Sequence, residues 1–342
     1  MDKIIKFQKK IAPESLKIVE KRYYILKSLY GLQPIGRRGL SNKLSIGERI
    51  VRAELEILRK QGLIEISPYG MTVTKEGKSI LQGLEDYIYK IRDIKDLEIK
   101  LENILDIAKV KIVAGSVDRD KLVLADLGKL AADYMEGIVN SGSIIGVTGG
   151  STVAAVAAGI SRPVGHSNVM VVPARGGMGP RVENQSNTIA AEMARGLQCK
   201  YYLLHASDTL EERVLHILLE DPQIQKVVNA IKSINLLIFG IGRADVMAKR
   251  RNLSSEIIRK LDSMEAVAEA FGYFFTKDGD VVYQMKTVGI SYEDFKNIPT
   301  TIAVAGGKEK AQAIMAVSRL KDSMILITDQ AAAFEIIKRA GD

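Results

Sequence analysis

The chain has 342 residues, 46% of them hydrophobic, enough for two or three domains with real cores. A single cysteine, Cys199, and three histidines without ligand-like spacing (His166, His205, His216) exclude a disulfide framework and a cysteine-rich zinc site, so no metal centre is expected. The net charge of +8 is held unevenly, with 19 Lys+Arg against 10 Asp+Glu in residues 1–92 and near-neutrality in residues 93–342. A basic module joined to a near-neutral one predicts one part that grips a phosphate backbone and a larger part with another task. The N-terminus leads into mixed charge rather than an apolar core, and no stretch approaches the ~18 uncharged apolar residues of a membrane span. A cytoplasmic chain without membrane contact is expected.

In chain order, Ile18, Ile25, Leu26 and Leu29 recur at helical spacing and predict a first helix closing at Gly31. A short second helix follows within residues 33–44, with Leu40 and Leu44 inward. Ser45-Ile46-Gly47-Glu48 has the form of a capping box, opening a third helix that runs to about Gln61 and stops at Gly62. On that helix Val51, Leu55 and Leu58 share one face, while Arg49, Ala53, Glu56 and Lys60 lie opposite with Arg52 on the flank. Arginine near the start of the second helix of a helix-turn-helix is placed to read base edges, because its planar fork donates twice to guanine. Leu63–Ile66 and Met71–Thr74 then alternate around a Ser-Pro-Tyr-Gly turn, the pattern of a two-stranded wing. Residues 1–92 are thus expected to form a winged helix-turn-helix on double-stranded DNA. Arg37, Arg38, Ser45, Arg49, Arg52, Ala53, Glu56, Lys60 and Tyr69 are its candidate contacts.

From Ile80 to Ile107 apolar residues recur every three or four positions, with one short step at 91–94–97. This predicts a connecting helix and leaves two readings open. One is a coiled-coil seam pairing two copies, which suits a palindromic operator; the other is an amphipathic helix packed on its own C-terminal domain.

Beyond residue 105, apolar runs at 110–114, 144–147, 169–172, 201–204, 236–239, 301–305 and 324–327 alternate mostly with helical patterns. That alternation predicts a doubly wound, mostly parallel α/β domain over residues 93–342, with ligands beyond the carboxyl ends of its strands. Four glycine-rich loops fall there: Gly146–Thr152, Pro173–Gly179 with Arg175, Gly240–Asp245 followed by Lys249, Arg250 and Arg251, and Ala305–Lys310. Glycines admit backbone amides to an anion, hydroxyls donate, and a helix N-terminus favours negative charge. Cations on at least three separate loops suggest more than one phosphate, or a phosphate and a carboxylate. No phosphate-loop motif and no dinucleotide fingerprint is present. An active sugar-phosphate isomerase or deaminase is the rival from another class, with Asp118, Asp120 or Glu269 as base, but the loops supply phosphate grips without a clear acid/base pair.

Pro34-Ile35-Gly36-Arg37-Arg38, Val147-Thr148-Gly149-Gly150, Val172–Gly177, Arg250-Arg251-Asn252 and Ala303–Gly307 together, in this order, resemble the SorC family of bacterial sugar-responsive repressors. The resemblance covers nearly the whole chain. It implies a C-terminal domain similar in fold to glucosamine-6-phosphate deaminase and ribose-5-phosphate isomerase but serving as a sensor, with no cofactor and no catalysis. It further implies an operator upstream of glycolytic genes, released when fructose-1,6-bisphosphate binds; a family member sensing another phosphosugar is the alternative. Carried over by position, Gly149, Gly150, Ser151 and Thr152 hold one phosphate with Lys310 and the Gly306-Gly307 turn. Arg175 and Arg250 serve the other, with Gln185, Asp245 and Glu269 near the sugar. Ser151 stands where the family pattern has threonine, and the hydroxyl survives. A homodimer, or a dimer of dimers on DNA, is the expected assembly.

Overall fold

A computed structural model of the chain describes residues 2–44, 46–163, 165, 167–177, 181–206 and 212–341. It divides into two compact units, residues 1–96 and 97–342.

The first unit holds α1 (Asp2–Ile11), α2 (Pro13–Leu32), α3 (Arg37–Leu44), α4 (Glu48–Lys60), the hairpin β1 (Ile64–Ser67) and β2 (Gly70–Val73), and α5 (Lys75–Ile91). α1 precedes the first helix expected from the sequence. Proline in the first turn of α2, where no amide is required, separates the two. Ile25, Leu29, Leu40, Val51 and Leu55 are almost wholly buried at the centre of this unit. The hairpin pairs Ile64 with Val73 and Ser67 with Gly70, leaving Pro68 and Tyr69 as its tip. At Gly70 (φ +131°) a Cβ would stand 2.9 Å from the Ile35 amide nitrogen, so glycine lets the wing lie against that segment through the Ile35–Met71 bridge.

The expected single connecting helix is two helices. α5 ends at Ile91 and α6 (Ile94–Leu105) begins after Asp93, whose φ of +52° is left-handed. The break falls at the short step of the apolar spacing, where a continuous helix would rotate its stripe off the core. Leu81, Ile88 and Ile91 are buried in the core of the first unit, and Leu97, Leu101 and Leu105 are buried further along. Leu81, Ile88 and Ile91 thus pack within the first unit rather than on the C-terminal domain, while Leu84 and Ile104 of the same stripe stay half-buried.

The second unit is built on a parallel seven-stranded sheet. Its strands are β3 (Lys109–Val113), β4 (Ile144–Val147), β5 (Met170–Pro173), β6 (Lys200–Tyr201), β7 (Leu236–Gly240), β12 (Thr300–Val304) and β13 (Ile325–Asp329), in the order β3-β13-β12-β7-β4-β5-β6. Between β7 and β12 lies a second, antiparallel sheet of β8 (Gly242–Arg243), β9 (Ala268–Ala270), β10 (Tyr273–Phe275) and β11 (Val281–Gln284). The helices are α7 (Lys121–Glu136), α8 (Ser151–Gly159), α9 (Ser186–Leu197), α10 (Glu212–Glu220), α11 (Pro222–Lys232), α12 (Ala244–Arg250), α13 (Ser255–Ser263), α14 (Tyr292–Asn297), α15 (Ala311–Ser318) and α16 (Gln330–Gly341). Ile145, Val147, Ile238, Ile302, Val304 and Ile327 face α7, α8 and α9 in one core. Strand alternation turns Phe239 to the opposite face, where its ring meets Phe271 at 5.7 Å and Phe295 at 5.6 Å.

β3 is an edge strand, and α6 covers it. Glu98 accepts from the Ile112 amide and Glu102 from the Val110 amide, each at 3.0 Å, so two carboxylates one helical turn apart satisfy ladder amides that would otherwise stand open.

From β4 the chain winds outward through β5 and β6; from β7 it winds the other way through β12 and β13. β4 and β7 are neighbours, and a cleft opens beyond their carboxyl ends at this switch point.

Candidate functional site

In the first unit, α3 and α4 are joined by a turn that Ser41 fastens, its hydroxyl donating to the Ile46 carbonyl at 2.6 Å. Ser45 lies outside the described residues. The residue before α4 is Gly47, which offers no side-chain cap, so the helix opens later than a Ser45 capping box requires. α4 is held on α2 by Glu54, which takes Lys21 at 2.5 Å and Arg22 at 2.8 Å. Burial pushes the Glu54 carboxyl up, but the hydrogen bonds from those two cations prevail and hold it below the usual range. Arg49, Arg52, Ala53 and Lys60 are exposed on the outer face, and Glu56 is half-buried and paired with Arg59 at 2.5 Å. Arg37 and Arg38 are exposed at the start of α3, and Tyr69 is 88% exposed at the hairpin tip. The surface is a helix bearing two arginines beside a protruding wing.

In the second unit, the cleft at the switch point encloses about 320 Å³. One wall is the start of α8. Gly150 has φ +120°, and its amide donates to the Asn184 carbonyl at 2.9 Å. The amides of Ser151, Thr152 and Val153 follow in the first helical turn, where no intrahelical acceptor exists. Thr152 is buried and Ser151 exposed.

A second wall carries buried guanidiniums. The Arg175 loop is pinned by the Ser186 hydroxyl, which donates to the Arg175 carbonyl at 2.7 Å, and by the Ile290 amide on the Ala174 carbonyl at 2.8 Å. Arg175 and Arg251 converge on Glu269 of β9: Glu269 Oε1 lies 2.7 Å from Arg251 Nη2 and 3.5 Å from Arg175 Nη1. The same oxygen accepts from the Gly272 amide at 2.8 Å. Desolvation lowers Arg175 to about 10, opposed by Glu269 and Tyr273, and lowers Arg251 as well. Next to them the β9–β10 turn is Phe271-Gly272, both with positive φ (36° and 90°). A Cβ at Gly272 would fall 2.0 Å from Arg175 Nη1, so only glycine admits the guanidinium there.

Lys310 and Arg250 form a second cationic group. Burial lowers the Lys310 ammonium below the ordinary lysine value and the neighbouring Arg250 lowers it further, while Asp118 and Asp329 pull it back. At the rim Arg243 joins Asp245 at 2.8 Å and Glu309 at 2.9 Å, bridging the loops after β7 and β12. Among the described residues, five basic side chains (Arg175, Arg243, Arg250, Arg251, Lys310) and three acidic ones (Asp118, Glu269, Glu309) line the cavity, a cationic excess.

Comparison with known proteins agrees with both surfaces. Residues 18–88 match the CggR N-terminal DNA binding domain family, and residues 89–338 match a sugar-binding domain family. Central glycolytic genes regulators from Priestia megaterium and Bacillus subtilis are 40% and 39% identical over 99% of this chain and 99% of their own. A SorC-family transcriptional regulator from Enterococcus faecalis, 37% identical, covers 71% of this chain and 99% of its own with a TM-score of 0.67. The chain belongs to the SorC family. The full-length sorbitol operon regulator SorC from Klebsiella pneumoniae has the same fold over 92% of this chain, with a TM-score of 0.67 at 18% identity. The chain is a transcriptional regulator with a DNA-binding and a sugar-binding domain, and among the described residues no helix is long and apolar enough to cross a membrane.

Of the effector-site residues that the SorC resemblance implied, Gly149, Gly150, Ser151, Thr152, Arg175, Arg250, Glu269 and Lys310 line the one cavity. Four others do not. Asp245 is turned to Arg243. Gln185 precedes α9, its side chain filling the space beside Gly177. The Gly307 amide is engaged by Asp329, and both Gly306 and Gly307 are buried against carboxylates rather than open to the cleft. Met178 and Gly179 of the Arg175 loop lie outside the described residues. The cations also group differently along the walls, Arg175 with Arg251 and Arg250 with Lys310. Glu269 serves as the counter-ion of two arginines, the role that local sequence concealed. Arg251 and Arg243 were not singled out as site residues. A basic run after a strand-end loop was the available signal for Arg251, and the β8 strand that places Arg243 is too short to read.

Proposed function

We propose that the protein is a repressor of glycolytic genes whose hold on its operator is relieved by fructose-1,6-bisphosphate. The observation that carries this reading is the division of the pocket cations into two groups. The Arg175–Arg251 pair on Glu269 and the Arg250–Lys310 pair both line one cavity beside the α8 N-terminus. Cations drawn from several loops around one cavity suit a ligand carrying more than one anionic group, and the cavity beside them suits a sugar. The names of the full-length relatives support the glycolytic assignment.

The same site supports sensing rather than catalysis. Asp120 caps α7 by accepting from the Leu122 amide at 2.9 Å, Asp118 accepts from the Lys308 amide at 2.8 Å, and Glu269 is the arginines' counter-ion. Each of the three candidate bases already has a structural engagement. The regulator acts in the cytoplasm as a homodimer, so that two winged helices meet two half-sites of a palindromic operator.

Isothermal calorimetry with fructose-1,6-bisphosphate, fructose-6-phosphate and other glycolytic phosphosugars tests the reading. The bisphosphate should bind much more tightly than any monophosphate. Equal affinity for the two fructose phosphates would overturn the two-anion site, and tighter binding of another phosphosugar would reassign the effector.

A further inference from the structure

Asp329 ends β13 and is completely buried, outside the lining of the cavity. Its Oδ2 accepts from the Val117 amide at 2.7 Å and its Oδ1 from the Ala332 amide at 2.8 Å, while the Gly307 amide reaches both oxygens at 3.1 Å. One carboxylate therefore ties together the loop after β3, the turn after β12 and the start of α16. The glycines of that turn are shaped to it: a Cβ at Gly306 would come 3.2 Å from Asp329 Cγ, and one at Gly307 (φ +101°) 2.5 Å from Asp118 Oδ1. Asp118 in turn accepts from the Lys308 amide at 2.8 Å. Asp118 and Lys310, the residues at either end of this arrangement, both line the cavity.

We propose that Asp329 is a positioning residue for the anionic ligand: without touching it, Asp329 fixes the turn that presents Lys310 and the loop that presents Asp118. This rests on the phosphate-sensing reading above. A buried carboxylate is costly, and a site needing only packing is served as well by an apolar side chain. What a charge adds here is three amides drawn to one point and a negative potential beneath Lys310. The charged groups acting on Lys310 are Arg250 from α12, Asp118 from the β3 loop and Asp329 itself. Its chain neighbour Glu309 is engaged by Arg243. Burial and Arg250 favour the neutral amine, and the two aspartates oppose them. Removing the charge of Asp329 shifts Lys310 further toward the neutral form, so the ammonium is lost at a lower pH.

The test is calorimetric binding of fructose-1,6-bisphosphate from neutral to alkaline pH, above the second phosphate ionisation near ~6. Asp329→Asn should bind roughly tenfold more weakly than wild type at neutral pH, and its alkaline loss of affinity should begin at lower pH. Lys310→Arg, whose cation does not titrate in this range, should abolish the earlier onset when combined with Asp329→Asn, leaving only the loss that Arg175, lowered to about 10, contributes to every variant alike. An Asp329→Asn protein matching wild type in affinity and alkaline profile would overturn the proposal. If that variant does not fold, hydrogen exchange on wild type decides: the Val117 and Gly307 amides should slow when bisphosphate is bound, and unchanged exchange would overturn it. A wild type that does not bind bisphosphate at all would instead sink the phosphate-sensing reading and take this proposal with it.

Discussion

Glu269 and Arg251 are joined by a 2.7 Å ion pair with side chains 5% and 6% exposed, and Arg175 shares the same carboxylate oxygen at 3.5 Å. Two guanidiniums share one buried carboxylate oxygen in the pocket wall, and an anion entering the cavity meets them. Removing the carboxylate leaves both cations buried without their counter-ion. Glu269→Gln should therefore cost about 3 kcal/mol in denaturant unfolding of the ligand-free protein. A midpoint unchanged from wild type would mean that the arginines are held by something else.

The first turn of α8 gives a second prediction. Thr152 is buried at the cavity with its hydroxyl beside Gly240. Thr152→Ala should weaken bisphosphate binding by roughly 1.5–3 kcal/mol, the worth of a charge-assisted hydrogen bond. Calorimetry reads this directly, and an unaltered dissociation constant would remove Thr152 from the phosphate's contacts.

The outer face of α4 predicts how DNA is read. Arg49→Ala and Arg52→Ala should each relax sequence preference by about 1–3 kcal/mol if the fork of either donates to guanine. Substituting Lys3 or Lys6, distant in sequence from α4, should leave specificity largely unchanged. Wild-type affinity should fall steeply with salt as counterions are released. The comparison is binding to operator and to random duplex across a salt series; two variants that discriminate as well as wild type would place the reading helix elsewhere.

The sheet edge supplies a prediction independent of either ligand. Glu98→Ala removes the acceptor of the buried Ile112 amide and the 3.4 Å partner of Lys111. An orphaned buried amide costs about 1–3 kcal/mol. Chemical denaturation of the variant should show that loss, and its absence would mean that the edge strand finds another acceptor.

Most of the parallel strands were legible in the sequence because they are short apolar runs buried on both faces; the exception is the edge strand β6, two exposed residues that share only Tyr201 with the run at 201–204. The pocket was legible because glycine-rich strand ends and hydroxyls mark an anion site on any open α/β sheet. What local pattern did not reveal is long-range pairing. Glu269 reads as one acid in an alanine-rich stretch, and only the small antiparallel sheet brings it to Arg175 and Arg251. Gly306 and Gly307 read as a phosphate-contacting turn, whereas their missing side chains make room for Asp329 and Asp118, one of them 22 residues downstream and the other far upstream. The connecting helix read as continuous because Asp93, which breaks it in a left-handed conformation, is a charged residue like its neighbours. Its apolar stripe fits a partner helix and an intramolecular core equally well, and α5 buries Leu81, Ile88 and Ile91 in the core of the first unit.

Arg250 lies at the end of α12, in the second unit, while α4 belongs to the first. Arg250→Ala should remove a cation from the pocket and leave the basic unit intact. The expected phenotype is a folded protein that binds operator as wild type does but is no longer released by the sugar. Gel-shift titration with and without bisphosphate reports it. Wild-type release would place Arg250 outside the effector site, and loss of operator binding in the absence of sugar would contradict the separation of sensing from DNA binding.

In a repressor relieved by sugar bisphosphate, ligand and operator should oppose each other. A ligand shifts an equilibrium only by its differential affinity for two states, and the coupling is reciprocal. The most direct measurement is titration of fructose-1,6-bisphosphate into the complex of wild-type protein with a duplex selected from a random pool, followed by gel shift. Operator affinity should fall as the sugar saturates the protein, and bisphosphate should bind the free protein more tightly than the complex by the same factor. Operator affinity that does not change while calorimetry shows the sugar bound would contradict the account.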